Sequence, residues 1–177
     1  PVGYWNLNEP AVTAPSVSSL PGVTNSGSLG SAANATNQWG ALPAQSGPGY
    51  AGFGAGNRAT FFDGHNGYVQ INDAPGLHFS SNVTMMAWIK PTEKDFFRNI
   101  IAHGMNQNRL ETFLRISRGA GAGGYGDNNY YEVGSGGGVP YVSAFYPMPP
   151  GDLGNWVFLA GTWDGTNWNL FRNVVLI

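Results

Sequence analysis

An all-β fold, built as an antiparallel sandwich of two sheets, is the structure that this sequence predicts. Gly supplies 27 and Pro 12 of the 177 residues, and only 10% of the residues are charged, against about a quarter in an average globular domain. No segment keeps an apolar period of 3.6 residues, so helices should be single turns at most. Short apolar and aromatic runs alternate instead with Gly- and Asn-rich turns, which is typical of two-sheet proteins.

The predicted strands are short and are bounded by turn-forming residues. The strongest covers 83–90 and is stopped by Pro91. The last two form a hairpin across Asp164 and Gly165. The full set lies at 2–7, 59–62, 68–71, 83–90, 99–103, 112–117, 130–133, 139–145, 156–163 and 167–172. Four aromatic residues of the patterned strands are expected to be buried between the sheets: Trp88, Phe113, Trp156 and Phe158.

A different composition marks residues 10–56, where Ser, Gly, Ala, Asn and Pro dominate and large apolar residues are isolated. This stretch is too long for an ordinary loop. It contains Trp39 and Phe53, which linkers seldom carry, so an irregular wrap anchored on the sandwich is favoured over a flexible linker. The sequence thus predicts one domain over residues 1–177.

Charge and cysteine content exclude several classes of function. The net charge is −2, and no run of Lys or Arg provides a surface for nucleic acid or for an anionic membrane. No apolar run approaches the ~18 residues of a membrane span. Because the chain has no cysteine, it can form neither disulfides nor thiolate metal sites, and it has no cysteine nucleophile.

A series of motifs extends over nearly the whole chain. The strand at 84–91 reads Thr-Met-Met-Ala-Trp-Ile-Lys-Pro, which looks like a T-x-x-A-W-I-x-P motif. The other motifs lie at 4–9, 25–30, 59–64, 67–71, 113–116, 156–165 and 168–173. Taken in this order, they resemble bacterial laminin G-like domains of the concanavalin A-like lectin/glucanase superfamily.

This resemblance implies a jelly-roll sandwich of the concanavalin A-like kind, with one concave face. It also implies an extracellular module that binds glycans or proteins, often with one structural calcium. It implies no particular ligand, because the same fold serves lectins, glucanases and plain spacers.

The sequence departs from the family pattern near its end. Val174 stands where the family usually has Gly, and Val tolerates a positive φ badly. The chain also stops at Ile177, whereas family members run on for several more strands. We therefore expect a truncated sandwich that lacks its C-terminal strands. The edge left unpaired should lie between Tyr4 and Leu7, where the chain could self-associate or accept a strand from a partner.

Catalysis is not expected. Retaining glucanases need two carboxylates about 5 Å apart, carried on alternate residues of one strand. The only such pair in the sequence is Glu93 and Asp95, which follows Pro91 in an expected loop. No Gly-x-Ser-x-Gly motif provides a nucleophile elbow.

Metal binding is predicted at one place only. The three histidines share no zinc-ligand spacing. For the calcium that the resemblance implies, Asp63 and Asp73 are the candidate ligands, with Glu9 as a further oxygen donor. The alternative for Asp63 is a turn former, since an Asp-Gly pair favours turns through its side-chain hydrogen bonds.

The segment 118–146 contains the ingredients of a sugar site, namely aromatic rings beside amide, carboxylate and guanidinium groups. The candidate carbohydrate-binding residues are Arg118, Tyr125, Asn128, Tyr130 and Tyr146, and the segment also carries Glu132, Tyr141 and Phe145. The competing interpretation assigns alternate tyrosines such as Tyr131 and Tyr141 to the core.

The function predicted from these observations is a non-catalytic extracellular recognition or adhesion module, secreted or attached to the cell surface. Its partner would be a glycan or a surface protein. A structural subunit of an extracellular filament or sheath is the first alternative, and repeating chain–chain contacts above ~1,000 Å² would favour it. A glycoside hydrolase of the same fold is the second alternative and would require two buried carboxylates in a cleft.

Overall fold

The fold is all-β, as predicted, and its helical elements in the described residues are single 3₁₀ turns. The computed structural model describes residues 1–12, 20–79, 81–93, 97–106, 109–117, 129–136 and 141–177. The chain divides into two compact units, Pro1–Phe79 and Ser80–Ile177. That residues 1–177 form one domain remains a prediction.

The N-terminal unit contains two small antiparallel sheets. Strands β1 (Gly22–Val23), β2 (Ala35–Gln38) and β5 (Tyr68–Ile71) form the first, in the order β1-β2-β5. Strands β3 (Ala41–Ser46) and β4 (Arg58–Phe62) form the second. The chain therefore moves from one sheet to the other between β2 and β3, and returns between β4 and β5.

The irregular wrap expected over 10–56 contains regular strands, since β1, β2 and β3 all lie within it. In β2, Ala35 and Asn37 are buried while Thr36 is exposed. The Asn37 side-chain amide donates to the Pro21 carbonyl at 2.8 Å, which satisfies one buried polar group. Small and amide side chains thus occupy core positions. The alternation of buried and exposed residues is therefore not visible as an alternation of apolar and polar residues, and the sequence did not predict this strand.

The expected strand over 2–7 is reduced to one bridge, between Trp5 and Asn25. The buried Asn25 side chain accepts a hydrogen bond from the Tyr4 backbone N–H at 2.7 Å. Leu7 has a φ of 55°, and this left-handed conformation interrupts extended pairing. Self-association through the edge near Tyr4 remains a prediction.

The C-terminal unit is a sandwich of two four-stranded antiparallel sheets, which agrees with the predicted architecture. The sheets have the orders β10-β9-β8-β7 and β13-β12-β11-β6. The strands are β6 (Val83–Ile89), β7 (Arg98–Asn106), β8 (Arg109–Ser117), β9 (Tyr130–Ser135), β10 (Val142–Pro147), β11 (Val157–Trp163), β12 (Trp168–Arg172) and β13 (Val175–Leu176). Residues of both sheets are fully buried in one core, among them Leu114, Val133, Leu159 and Leu170.

The predicted burial of Trp88, Trp156 and Phe158 between the sheets is wrong. Trp88 and Phe158 face each other across β6 and β11, with ring centroids 5.5 Å apart, and all three residues are only half-buried. The inward residues of these strands are smaller, such as Met85 and Leu159. Apolar residues occupy both faces of these strands, so the pattern did not identify the core face.

A buried carboxylate joins the two sheets of the sandwich. Asp152, only 3% exposed, lies in the 3₁₀ turn Pro150–Asp152. Its Oδ2 accepts hydrogen bonds from the Tyr131 hydroxyl of β9 at 2.8 Å and from Arg172 Nε of β12 at 2.7 Å. Burial acts to raise the pKa of Asp152, but the bonds from Arg172 and Tyr131 outweigh it and leave the pKa below 3.8.

The hairpin between β12 and β13 keeps a left-handed turn although it lacks glycine. Asn173 and Val174 have φ values of 48° and 63°, as in the type I′ turns that suit two-residue hairpins. Asn173 Oδ1 accepts from the Phe158 backbone N–H at 3.0 Å, and the Asn173 N–H donates to the Phe158 carbonyl at 2.8 Å. These bonds hold Val174 in a conformation that β-branched residues avoid.

Replacing Val174 by Gly should stabilise the protein. The left-handed conformation costs an L-residue roughly 1–2 kcal/mol, and Gly removes this cost. Gly also makes the unfolded chain more flexible, which offsets about 0.5–1 kcal/mol of the gain. We expect a net gain of about 0.5–1 kcal/mol in the free energy of unfolding by urea. Val175→Gly in the adjoining strand is the control and should give no gain. An unchanged or lower midpoint for Val174→Gly would contradict the assigned strain.

Replacing Asp152 by Asn should cost about 3–5 kcal/mol, because it leaves Arg172 without its buried counter-charge. The exposed turn residue Asp164 is the control, since Asp164→Asn retains an oxygen for its backbone partners. Because folding lowers the pKa of Asp152, its stabilising contribution is present above pH 3.8 and is lost as the pH falls below that value. Equal stability of Asp152→Asn and wild type at pH 7 would refute this role.

Candidate functional site

The predicted sugar-site residues do not come together in the described structure. Arg118, Tyr125 and Asn128 lie outside the described residues. Tyr130 and Tyr146 are both described, but they lie on opposite faces of one sheet.

Strand pairing explains this separation. In the β9–β10 pair, Tyr130 is opposite Pro147, whereas Tyr146 is opposite Tyr131. Cross-strand partners share a face of the sheet, and Tyr131 belongs to the core. Tyr146 is therefore on the core side and Tyr130 on the other side, so the grouping of Tyr130 with Tyr146 in one site is corrected.

The face of this sheet that is turned away from the core carries polar and aromatic side chains. Arg115 of β8 is opposite Glu132 of β9, and Glu132 is opposite Phe145 of β10. Their sequence neighbours Leu114 and Val133 point into the core. We call this the outer face and define it by Phe97, Phe113, Arg115, Tyr130, Glu132, Tyr141 and Phe145.

A hydrogen-bonded cluster of three side chains lies at the centre of the outer face. Arg115 Nε donates to Glu132 Oε2 at 2.8 Å, and Arg115 Nη2 donates to the Tyr141 hydroxyl oxygen at 2.8 Å. The Tyr141 hydroxyl in turn donates to Glu132 Oε1. Glu132 is 1% exposed. Burial and the bond to Glu132 raise the pKa of Tyr141, so this hydroxyl keeps its proton.

Aromatic rings surround the cluster. The Arg115 guanidinium carbon lies 4.1 Å from the Phe113 ring centroid and 4.9 Å from that of Phe97. Phe97, Tyr141 and Phe145 are 51%, 47% and 49% exposed. Half-exposed rings around a fixed polar group provide both an apolar surface and hydrogen-bonding partners.

Phe113 is buried, as expected, but not between the two sheets. Its ring stacks on Tyr141 with a centroid distance of 5.9 Å and lies beneath Arg115 on the outer face. A Cβ atom on Gly134 of the neighbouring strand would come within 2.8 Å of the Phe113 ring. The absence of a side chain at Gly134 therefore makes room for the Phe113 ring.

Neither Glu132 nor Glu93 is paired with a second carboxylate in the part of the chain that the structure describes. Both oxygens of Glu132 are engaged, one by Arg115 and the other by Tyr141. Glu93 forms an exposed ion pair with Arg98 at 3.7 Å, and Asp95 lies outside the described residues. What the outer face can do chemically is hold a ligand through ring contacts and hydrogen bonds.

Asp63, the first candidate calcium ligand, has the geometry of a turn former. Its Oδ1 accepts backbone N–H bonds from His65, Asn66 and Gly67 at 2.9, 3.0 and 2.8 Å. These bonds, with Gly67 contributing most, lower the pKa of the Asp63 carboxyl. A carboxylate that already accepts three backbone N–H bonds stabilises its own loop.

The other expected oxygen donors do not complete a calcium site. Asp73 Oδ1 lies 2.7 Å from His78 Nε2, and burial raises the pKa of the Glu9 carboxyl. Within the described ranges, Asp63 belongs to no group of three or more clustered carboxylate or imidazole ligands. Calcium takes six to eight oxygen ligands, and these side chains alone do not supply that number, so calcium binding remains a prediction.

The chain belongs to the concanavalin A-like lectin/glucanases superfamily, because a laminin G family model of that description matches residues 63–177. This confirms the resemblance seen in the motifs. No curated protein and no solved structure shows a significant match to the chain. Laminin G-like domains often bind carbohydrates or proteins and are typically extracellular, although the superfamily also includes glycosidases. No helix among the described residues is long and apolar enough to span a membrane.

The turn-former interpretation of Asp63 predicts that a chelator such as EDTA leaves the melting temperature unchanged. Asp63→Ala should lower the melting temperature, because three backbone N–H groups lose their acceptor. Asp63→Asn is the matched control and should melt like the wild type, since its amide oxygen can still accept. A bound calcium would instead stabilise the folded state, so a chelator-induced drop that both variants abolish would restore the calcium assignment.

Proposed function

We propose that this chain is a non-catalytic extracellular recognition module that binds carbohydrate through the outer face of the β7–β10 sheet. The observation that carries this proposal is the set of three half-exposed rings, Phe97, Tyr141 and Phe145, around the Arg115–Glu132 pair. Family membership supports a binding module in general and leaves the ligand open.

Carbohydrate fits the chemistry of this face. A pyranose presents an apolar face of C–H groups, which stacks on aromatic rings, and a rim of hydroxyls, which exchange hydrogen bonds. Arg115 and Tyr141 offer hydrogen-bonding groups, and the buried Glu132 holds both of them in place. Side chains that are ordered before binding lose little entropy when the ligand arrives.

Binding is favoured over cleavage by the state of Glu132. A retaining glycosidase needs one carboxyl group as proton donor and a second as nucleophile, about 5–5.5 Å away. Glu132 is held instead by Arg115 and Tyr141. A buried Arg–carboxylate pair of this kind orients its surroundings and supplies no proton to a leaving group.

A second candidate function, self-association into a filament or sheath, is supported by strand β13. It ends the sheet order β13-β12-β11-β6 among the described strands, and it exposes Val175 and Leu176. An apolar edge strand is a template for another strand. Concentration-dependent sedimentation, abolished by Val175→Lys, would favour this function over glycan recognition.

Replacing Phe145 by Ala should weaken glycan binding about tenfold or more, because one ring of the outer face is lost. Tyr146→Ala is the matched control: Tyr146 is adjacent in β10 and similarly exposed, but it lies on the opposite face. A glycan array would identify the ligand, and calorimetry would compare the variants. Equal affinities for Phe145→Ala and wild type, or a loss confined to Tyr146→Ala, would refute the proposed face.

A further inference from the structure

Two connections of the N-terminal unit lie side by side, and they define a second place where a ligand could bind. Gln38, the last residue of β2, is opposite Tyr68, the first residue of β5. Ala41, the first residue of β3, is opposite Phe62, the last residue of β4. The turn at 39–40 and the loop at 63–67 therefore meet at the same end of both sheets.

Two glycines and one carboxylate hold these connections together. A Cβ atom on Gly40 would lie 2.2 Å from Asp63 Oδ2, and one on Gly67 would lie 2.8 Å from the Gly40 carbonyl carbon. Only glycine permits such a close approach. The three backbone bonds to Asp63 Oδ1 fix the loop that carries His65 and Asn66. The loop conformation is thus set before any ligand arrives.

Trp39 combines a strained backbone conformation with an exposed side chain. Its φ is 44°, in the left-handed region, which is costly for a bulky residue. The side chain is 59% exposed, so little burial compensates for the strain. Strained backbone occurs frequently at functional sites, which makes Trp39 a candidate.

These features surround an open cavity of about 300 Å³ lined by Trp39, His65, Asn66 and Tyr68. The rings of Trp39 and Tyr68 provide an apolar surface. The amide of Asn66, the imidazole of His65 and the Tyr68 hydroxyl provide hydrogen-bonding groups. None of the four lining residues carries a carboxylate or a guanidinium group.

We propose that this cavity is a second glycan-binding site, which holds a neutral pyranose unit with Trp39 as the stacking platform. Asn66 and Tyr68 exchange hydrogen bonds with the hydroxyl rim of the sugar, and Asp63 acts as a positioning residue for the loop. This site is independent of the outer face, because Trp39, Asn66 and Tyr68 all belong to the N-terminal unit.

The size and lining of the cavity define the ligand class. Its volume of about 300 Å³ is at the lower end of the range for small-molecule pockets and accommodates one or two sugar rings. Its openness leaves room for the rest of a glycan to continue into solvent. Amide and hydroxyl groups beside aromatic rings match a neutral sugar. A uronate would require a cationic partner, and among the four lining residues only the His65 imidazole can carry a positive charge.

The test uses Trp39→Asn in the Phe145→Ala background, in which binding at the outer face is already weakened. The probes are neutral gluco-, manno-, galacto- and xylo-oligosaccharides, measured by calorimetry, with an oligogalacturonate for comparison. Asn tolerates a positive φ, so this variant should melt no lower than its parent while its affinity falls about tenfold or more. Tyr50→Ala is the matched control, because Tyr50 is also 59% exposed but does not line the cavity.

A second variant, Asn66→Ala, keeps the test decisive if Trp39→Asn is unstable. The Asn66 backbone N–H continues to bind Asp63, so only the side-chain amide is lost. Weakened binding of a neutral oligosaccharide by both variants, with Tyr50→Ala unaffected, supports the site. Unchanged affinity in Asn66→Ala, preference for the oligogalacturonate, or no binding of any neutral oligosaccharide at millimolar concentration overturns it. Failure of the outer-face proposal would appear separately, as unchanged binding on Phe145→Ala.

Discussion

The hydrogen bonds that the Asp152 carboxylate accepts inside the sandwich determine which way the neighbouring strands face. Tyr131 must point inward for its hydroxyl to reach Asp152, and Arg172 reaches the same carboxylate from the other sheet. Glu132 follows Tyr131 in β9, so it necessarily points to the outer face. A register slip of one residue in β9 would turn Glu132 into the core, where it could not pair with Arg115, and would turn Tyr131 away from Asp152. Both changes cost free energy, so the alternative register is disfavoured.

Polar side chains determine the geometry of both proposed binding surfaces, and aromatic rings provide most of the contact area. On the outer face, Arg115 connects Glu132 and Tyr141 across neighbouring strands. In the N-terminal unit, Asp63 fixes the loop beside Trp39 through backbone N–H groups. In both places the rings stand on or beside strands that are paired with a neighbour, so a ligand meets a surface that is already ordered.

The sequence predicted the residue types of a sugar site, which stays a prediction, but it did not predict how strand pairing groups these residues. The segment 118–146 did contribute Glu132, Tyr141 and Phe145 to one surface, but Tyr130 and Tyr146 lie on opposite faces. Phe97 and Arg115 come from other strands and became part of the surface only through sheet pairing. Trp39 lies between two strands that consist mainly of small and polar residues, so the hydrophobic pattern did not predict them. The sequence therefore gave no sign that Trp39 lies beside Asn66.

The sequence by itself determined the fold class, the family and most of the C-terminal strands, because these depend on local alternation, turn residues and motif order. Because the sequence contains no cysteine, it also excluded thiol chemistry. Only the tertiary structure decided which face of each strand is buried, as the outward positions of Trp88 and Phe158 show. The physical reason is that side-chain direction alternates with a period of two, so strands with apolar residues on both faces acquire an inside only when a second sheet packs against them.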